Sequence, residues 1–525
     1  MEVLMPWPDR LILWIPLLPW VAALWIGVGM LRPGGRGGEA GERGTARAAL
    51  WAVGIALLGL LWLDGRAWWQ GVPGPLVFGN WLASGTVRVS LSLLLDRPAL
   101  VMATVVALAC LVTLRFSVDY MHREPGFHRF FAVLCLFAGG MLWIALAGNA
   151  LLTFVGWEVA GLSSYLLISY ARERATAAEN ATRAFVTNRF GDAGLLFGIA
   201  MAFGAAGTIE WPAVFEASHR ASSPPVPIVL AGFLLAALAK SAQIPFFPWI
   251  ARALEGPTPS SAIFYGALMA HAGAFLVIRL EPLLWHSPFL MGVLLVIGLL
   301  TALLASAIGR VQSDVKSALI FSTQAQLGLI FFECGAGLFD FALFHLVAHT
   351  LWRLHQFLLA PSYLQLGGLR GARPVPGWLA RSRTLYDLLL HRGWFDALTD
   401  ALITRPTLAL AKDARIFEEV VVNRMAGRTL RETLLASRAE WDDPDALVQD
   451  SGGIVTEGRG LFGRLLEGVA KVLFWFEESL VLNSSGDGLL KAVAFLGDYL
   501  TRIEASLGQP RYLVLLIALT FLVIL

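Results

Sequence analysis

The sequence predicts an all-α polytopic membrane protein: about eleven transmembrane helices with a broken seventh, a cytoplasmic or interfacial helical tail, and a short C-terminal apolar anchor. Three observations carry this prediction. Of 525 residues, 57% are hydrophobic and only 15% are charged, against about a quarter charged in ordinary soluble domains. The mean hydropathy is +0.66. Apolar runs long enough to cross about 30 Å of hydrocarbon as helix recur as far as residue 360. Lys plus Arg total 40 against 38 acids, a balance that excludes any charge-based case for a nucleic-acid partner. Cys110, Cys135 and Cys334 have no CxxC or CxxH spacing and read as packing residues, with no metal or redox centre expected.

The first run, 11–31, lacks the basic start and small-residue cleavage site of a signal peptide and reads as a retained span. A second covers 48–63. Alternation around Val87, Val89 and Leu91 then predicts a small hairpin outside the membrane. Spans follow at 98–114, 130–147, 150–170 and 183–203. The seventh, 226–243, runs into prolines 245, 248, 257 and 259, which remove amide donors and break the helix. Four more lie at 261–280, 289–308, 316–335 and 339–360. The first, third and fifth loops concentrate Arg32, Arg36, Arg43 and Arg47, then Arg115, Arg123 and Arg129, then Arg172, Arg174 and Arg183. The Lys/Arg bias places those loops in the cytoplasm and the N-terminus outside a bacterial inner membrane. Beyond residue 361 charges become frequent. Helical apolar spacing over 462–480 and 489–507 predicts amphipathic helices, and the 14 residues Tyr512–Leu525 reach only about 21 Å, a short anchor. The expected domains are N-terminal spans and external loop (1–97), a translocating bundle (98–360), the tail (361–511) and the anchor (512–525).

An ionisable group in hydrocarbon costs about 2.5–3.5 kcal/mol on insertion scales, so each one is a functional candidate. Glu158 lies inside LLTFVGWEVAGLSSYLL, Asp192 follows NRFG, and Lys240 ends LAGFLLAALAK. Lys316 opens the tenth span and Glu333 closes it. The eleventh carries His345, His349 and Arg353, four apart and on one helical face, with His355 pointing away. Histidine titrates near neutrality, so this stripe suits proton transfer; the alternative is buried histidines bonded to backbone. Lys240 precedes a break of the kind found at transporter ion sites, where desolvation and a nearby carboxylate compete over its proton. Glu158 is the expected partner, and a Lys240 that snorkels to the headgroups is the alternative. Glu333 and Arg279, near span ends, are expected at the interface.

GWEVAGLSSYLLISY, ATRAFVTNRFGDAGLLFG, AKSAQIPFFPWIARALEGPTPSSA, DVKSALIFSTQAQLG and FHLVAHTLWRLHQFL together resemble the antiporter-like subunit L of respiratory complex I. Its superfamily also holds Mrp-type antiporters and the membrane half of two-subunit inorganic-carbon uptake systems. The resemblance covers roughly residues 88–360. It implies a proton path along the membrane midplane. Glu158 and Lys240 match the family's carboxylate–lysine pair, Lys316 its central lysine, His345 and His349 its histidine pair, and Asp192 the acid of NRxGD. Tyr265 stands where the family has histidine, with His271 six residues on. Arg353 replaces a lysine and suits a gate rather than a relay, because arginine keeps its proton. His355 is extra. The second inverted repeat looks shortened, and GWFDALTDALITRPTLALAKD resembles the start of the family's lateral helix.

The resemblance implies a proton-translocating subunit of a larger inner-membrane complex, without a redox site or cofactor of its own, whose partner subunits carry the redox or transport chemistry. Its partners are complex I-like subunits, the lipid bilayer and protons. Two alternatives differ in class. One is the membrane subunit of a proton-driven inorganic-carbon uptake complex with a large zinc-containing cytoplasmic partner. The other is a non-conducting scaffold.

Overall fold

The computed structural model describes residues 7–31, 38–84, 87–171, 173–218, 225–312, 314–366 and 375–417. Among the described residues, nine helices are long and apolar enough to cross a membrane. Helices also occupy the other two places expected to span. In chain order the helices are α1 (Leu11–Met30), α2 (Gly38–Gln70), α3 (Arg97–Tyr120), α4 (Phe127–Leu146), α5 (Ala150–Ile168) and α6 (Ala175–Ala206). A short α7 (Trp211–Ala217) leads to α8 (Val226–Lys240) and, across a break, α9 (Pro248–Arg252). Then come α10 (Thr258–Arg279), α11 (Pro288–Gly309), α12 (Val315–Gly335) and α13 (Phe339–Leu366). The chain is a multi-pass membrane protein, and side chains such as Trp51, Leu58, Leu303 and Phe344 face outward from the bundle.

Helix α2 begins ten residues before its apolar run, at Gly38. Its polar start remains helical because good helix formers pair along it, as Glu39 does with Arg43 one turn on. The expected hairpin is present: β1 (Gly74–Ser84) pairs antiparallel with β2 (Val87–Leu95). Strand β1 escaped the sequence reading because Pro75, Gly79 and Asn80 spoil its alternation, and its register shifts between Val77 and Gly79 and again between Asn80 and Leu82.

A carboxylate fastens this hairpin to the bundle. Glu210 Oε1 accepts from Ser90 Oγ at 2.7 Å and from Asn149 Nδ2 at 3.2 Å, and Oε2 accepts from Ser92 Oγ at 2.8 Å. Asn149 meanwhile caps α5 by accepting from Leu152 N. Arg279 makes a second tie. It is buried, not interfacial as its place near a span end suggested, donating to Asp96 Oδ2 at 2.6 Å and to Ala145 O at 2.8 Å. A buried guanidinium is tolerable because a carboxylate and a carbonyl replace its water.

Helix α10 is buried along its whole length and packs against α3, α8, α12 and α13. Helices α6 and α8 approach so closely that a Cβ on Gly232 would lie 2.5 Å from Gly198 N and 2.6 Å from Gly194 O. Small residues at such crossings let backbones touch where the hydrophobic effect gives no drive. A second unit begins at Ala401, described as far as Phe417 and helical over Arg405–Phe417. The amphipathic helices expected at 462–480 and 489–507 and the anchor at 512–525 lie outside the described residues.

Candidate functional site

The first cluster joins α5, α6 and α8. Glu158 on α5 is paired with Arg189 on α6, which also lies 3.6 Å from Asp192 one turn further along. The indole Nε1 of Trp157 donates to Asp192 Oδ1 at 2.8 Å. Lys240, 1% exposed, donates to Trp157 O at 3.3 Å and rests its ammonium 4.9 Å from the centre of the Trp157 ring. Lys240 therefore does not snorkel. Its ammonium is held by a carbonyl and an aromatic face, and among the described residues Glu158 takes Arg189 rather than Lys240 as its ion-pair partner. Gly161 gives the ammonium room, since a Cβ there would sit 3.2 Å from Nζ. A crevice of about 10 Å³ lined by Glu158, Ser164, Asn188 and Arg189 reaches the carboxylate, and space of that order holds about one water.

Lys240 is the last residue of α8. Ala242 has φ +50°, and prolines 245 and 248 withhold amide donors. The break frees carbonyls that the protein satisfies with side chains. Gln324 Nε2 of α12 donates to both Ala242 O and Phe247 O at 3.0 Å, and Trp249 Nε1 donates to Ala239 O at 2.9 Å. Irregular backbone at membrane depth survives only when surrounded by protein or water in this way. Segment 393–413, which resembles the start of a lateral helix, is helical from Phe395 on, and its first turns pack here. Phe395 meets Phe247 at 4.9 Å, Asp396 accepts from Arg252 at 2.7 Å, and Asp400 pairs with Arg183 at 3.0 Å.

The second cluster surrounds α10. Residues Ala262–Ala267 form a π-helical turn, a distortion frequent at functional sites. Its freed carbonyl at Ala267 accepts from Thr350 Oγ1 of α13 at 3.1 Å. The turn presents Tyr265 to Ser164 of α5, 3.0 Å between hydroxyls, while His271 faces α13. His271 Nε2 and His349 Nδ1 are 2.8 Å apart, and Arg353 Nε donates to His349 Nε2 at 3.4 Å. Arg353 also donates to Gln356 Oε1 and Ser322 Oγ, both at 2.8 Å. The His345 ring lies 6.2 Å from that of His349. Its Nδ1 is 2.8 Å from Glu333 Oε1 and its Nε2 is 2.9 Å from Gln326 Oε1.

Donor chemistry orients this chain. Arg353 can only donate, so His349 Nε2 accepts, and a neutral His349 carries its proton on Nδ1, pointed at His271. His271 then holds its proton on Nδ1, a buried atom with no protein partner. At His345 both contacts are met by an imidazolium, by a proton on Glu333, or by a neutral ring that donates from Nδ1 to Glu333 and accepts at Nε2 from the turned amide of Gln326. These tautomers follow from the hydrogen-bond pattern.

The stripe of His345, His349 and Arg353 thus shares a face, and the partners of both histidines are side chains instead of backbone, all on other helices except Arg353, one turn along on α13. Glu333, expected at the interface, is buried against His345. His355 is exposed on the opposite side beside Trp352. Lys316 sits half-buried at the start of α12, two residues after the cap Asp314, and bonds to none of the histidines. Arg189, Gln324, Gln326 and Ser164 went unnoticed in the sequence. Arg189 alone left a signal, being a cation three residues before Asp192 on a helix. Buried polar atoms without a protein partner recur through both clusters, at Glu158 Oε1, Gln243 Oε1, Gln324 Oε1, His271 Nδ1 and Glu333 Oε2. Among the described residues no group of three or more His, Cys, Asp and Glu is placed to hold a metal ion.

Comparison with known proteins identifies relatives of this chain. The family model described as NADH:quinone oxidoreductase/Mrp antiporter, TM, matches residues 147–368, and that of the complex I chain 5 N-terminus matches 81–131. NADH-quinone oxidoreductase subunit L of Mycobacterium tuberculosis is 35% identical over 362 residues, which is 66% of this chain and 57% of that protein. NAD(P)H-quinone oxidoreductase chain 5 of Synechocystis is 32% identical over 371 residues, 69% of this chain and 54% of that one. The chain spans a little over half the length of these relatives. Among solved structures, the Mrp complex from a Dietzia species aligns with a TM-score of 0.59 at 25% identity, covering 68% of this chain and 38% of that one. An archaeal membrane-bound sulfane sulfur reductase, at 18% identity and a TM-score of 0.56 over 66% of this chain and 55% of that one, shares the fold.

Proposed function

From the premise that this chain belongs to the antiporter-like family of complex I subunit L, we propose that it conducts protons along its buried polar axis as one subunit of a larger membrane complex. The observation that carries the reading is the bonded series Glu333–His345, His349–His271 and Arg353, set in the centre of an apolar bundle. Packing alone gives no reason to bury so many titratable groups in contact with one another.

In this reading Arg353 is the gate. It occupies His349 Nε2, the nitrogen through which a proton from the Glu333–His345 pair would enter. When Nε leaves His349 while the guanidinium stays anchored on Gln356 and Ser322, His349 accepts a proton at Nε2 and passes its Nδ1 proton to His271 Nε2. His271 releases its own Nδ1 proton to water, and both rings must reorient before the next transfer. Gln243 Oε1 and Gln324 Oε1, buried without a protein partner, would hold the water that links this cluster to Lys240. Glu158, Arg189 and Asp192 form the charge set against which Lys240 gains or loses its proton. Tyr265, on Ser164, borders the passage between the clusters. Lys316 stands at the mouth of α12. The arginine-rich loops lie on the cytoplasmic side of the inner membrane, and the redox or transport chemistry belongs to partner subunits.

The test is proton flux in liposomes containing the chain, alone and within its co-purified complex. We expect flux in the complex that Lys240→Ala abolishes, and no equivalent sodium flux. Absence of flux in both preparations, with Lys240→Ala leaving the parent complex unaffected, would establish a scaffold instead.

A further inference from the structure

Away from the polar axis, α2 and α3 enclose a cleft of about 410 Å³ at the end of the bundle that bears the arginine-rich loops. Its floor is apolar, made by Ala46, Leu50, Val118 and Phe127, and its rim carries Arg43, Arg47 and Arg115 together with Glu39, Glu42, Asp119 and His122. Each of these acids is already paired, and Arg47 is the rim arginine that none of them takes. Glu42 bonds His122 at 2.8 Å, Glu39 pairs with Arg123 and Arg43, and Asp119 pairs with Arg115 at 2.9 Å. Arg47 is exposed and has no hydrogen bond or ion pair among the described residues.

The two arginines head two apolar stripes. On α2, Arg47 is followed at helical spacing by Trp51, Ile55 and Leu58, all exposed. On α3, Arg115 follows Val112 and Leu108, also exposed and on the same face. The helices are neighbours, joined by Thr104 Oγ1 donating to Asp64 Oδ2 at 2.7 Å. From Arg47 to Leu58 the stripe runs about 16 Å along the helix, the depth of one leaflet's hydrocarbon.

We propose that this cleft binds an anionic phospholipid, with its phosphate between Arg47 and Arg115 and its acyl chains along the two stripes. A soluble phosphate would use the arginines and leave the stripes without purpose. A zwitterionic lipid would use the stripes, but its own cation would stand against the arginines. A basic pocket between helices on the cytoplasmic side, where the leaflet is itself anionic, is the arrangement that selects such a headgroup.

The site is tested by reconstituting the full chain in vesicles of phosphatidylcholine with one tenth phosphatidylglycerol, extracting it, and quantifying retained lipids by mass spectrometry. Wild type is expected to retain phosphatidylglycerol several-fold above its share. The double variant R47Q/R115Q should fall to the bulk ratio, while R310Q, an exposed arginine at the same end of the bundle, should not. A photoactivatable phosphatidylglycerol should label wild-type peptides within 47–62 and 108–118, a readout independent of whether the double variant folds. Labelling elsewhere, unchanged enrichment in a folded double variant, or displacement of the lipid by millimolar inorganic phosphate would overturn the proposal.

Discussion

His271 and His349, 78 residues apart in sequence, stack their imidazoles with centroids 5.0 Å apart and join Nε2 to Nδ1 at 2.8 Å. One ring stands on the buried α10 and the other on α13, so the contact joins Thr350 Oγ1 on Ala267 O as a polar link between the two helices. His349→Ala removes the middle of the series, yet water can fill part of the gap. Proton flux in liposomes, followed with a pH-sensitive dye, is expected to fall roughly tenfold, a barrier change of about 1.4 kcal/mol. Equal flux in wild type and variant would remove this pair from the pathway.

Glu158→Gln takes from Arg189 the nearer of its two carboxylates, leaving Asp192, and deprives Lys240 of a nearby negative charge. Coupled activity should drop by about 10²-fold or more, the scale of losing a positioned proton-transfer group. Assembly of the complex, checked by co-purification, should persist, because glutamine keeps the shape of the site. Lys240→Ala should behave alike.

Gln324→Leu strips the shared donor from Ala242 O and Phe247 O. A buried carbonyl left unpaired costs about 1–3 kcal/mol, so the break in α8 should loosen. We expect a lower thermal midpoint in detergent and faster amide exchange at 241–250. A midpoint and exchange pattern like wild type would show that water replaces the amide without loss.

Gly232→Ala forces a methyl against Gly198 N and Gly194 O. Overpacking of this kind costs about 1–3 kcal/mol. The expected result is a destabilised protein whose loss is much smaller at Gly292→Ala, where a Cβ meets nothing within 4 Å. Equal stability of the two variants would contradict the close crossing of α6 and α8.

How far these features could be read beforehand depended on whether they lie within one helix. The spans, the break after Lys240 and the shared face of His345, His349 and Arg353 are properties of local periodicity and proline placement, which the sequence displays directly. Partnership between helices is not local. Glu158 looked like the mate of Lys240, but the rotation of α6 brings Arg189 onto it. Glu333 and Arg279 looked interfacial from their places near span ends, yet crossings set by neighbouring helices bury both against partners. The amides of Gln324 and Gln326 are ordinary residues until the break and His345 are brought to them. Lys316 shows the converse: a lysine in a recognisable motif, standing apart from the bonded histidines.

The carboxylate of Glu210 holds the hairpin, the cap of α5 and the turn after α6 in one knot, and Asp96 with Arg279 fastens the ends of α3, α4 and α10. These bonds tie the helix ends on that rim to one another, which opposes a rocking of one half of the bundle past the other. The proposed proton transfer would then run inside a stationary frame, paced by rotamer flips and solvent rearrangement, and cross-linking the rim is expected to leave its rate unaltered.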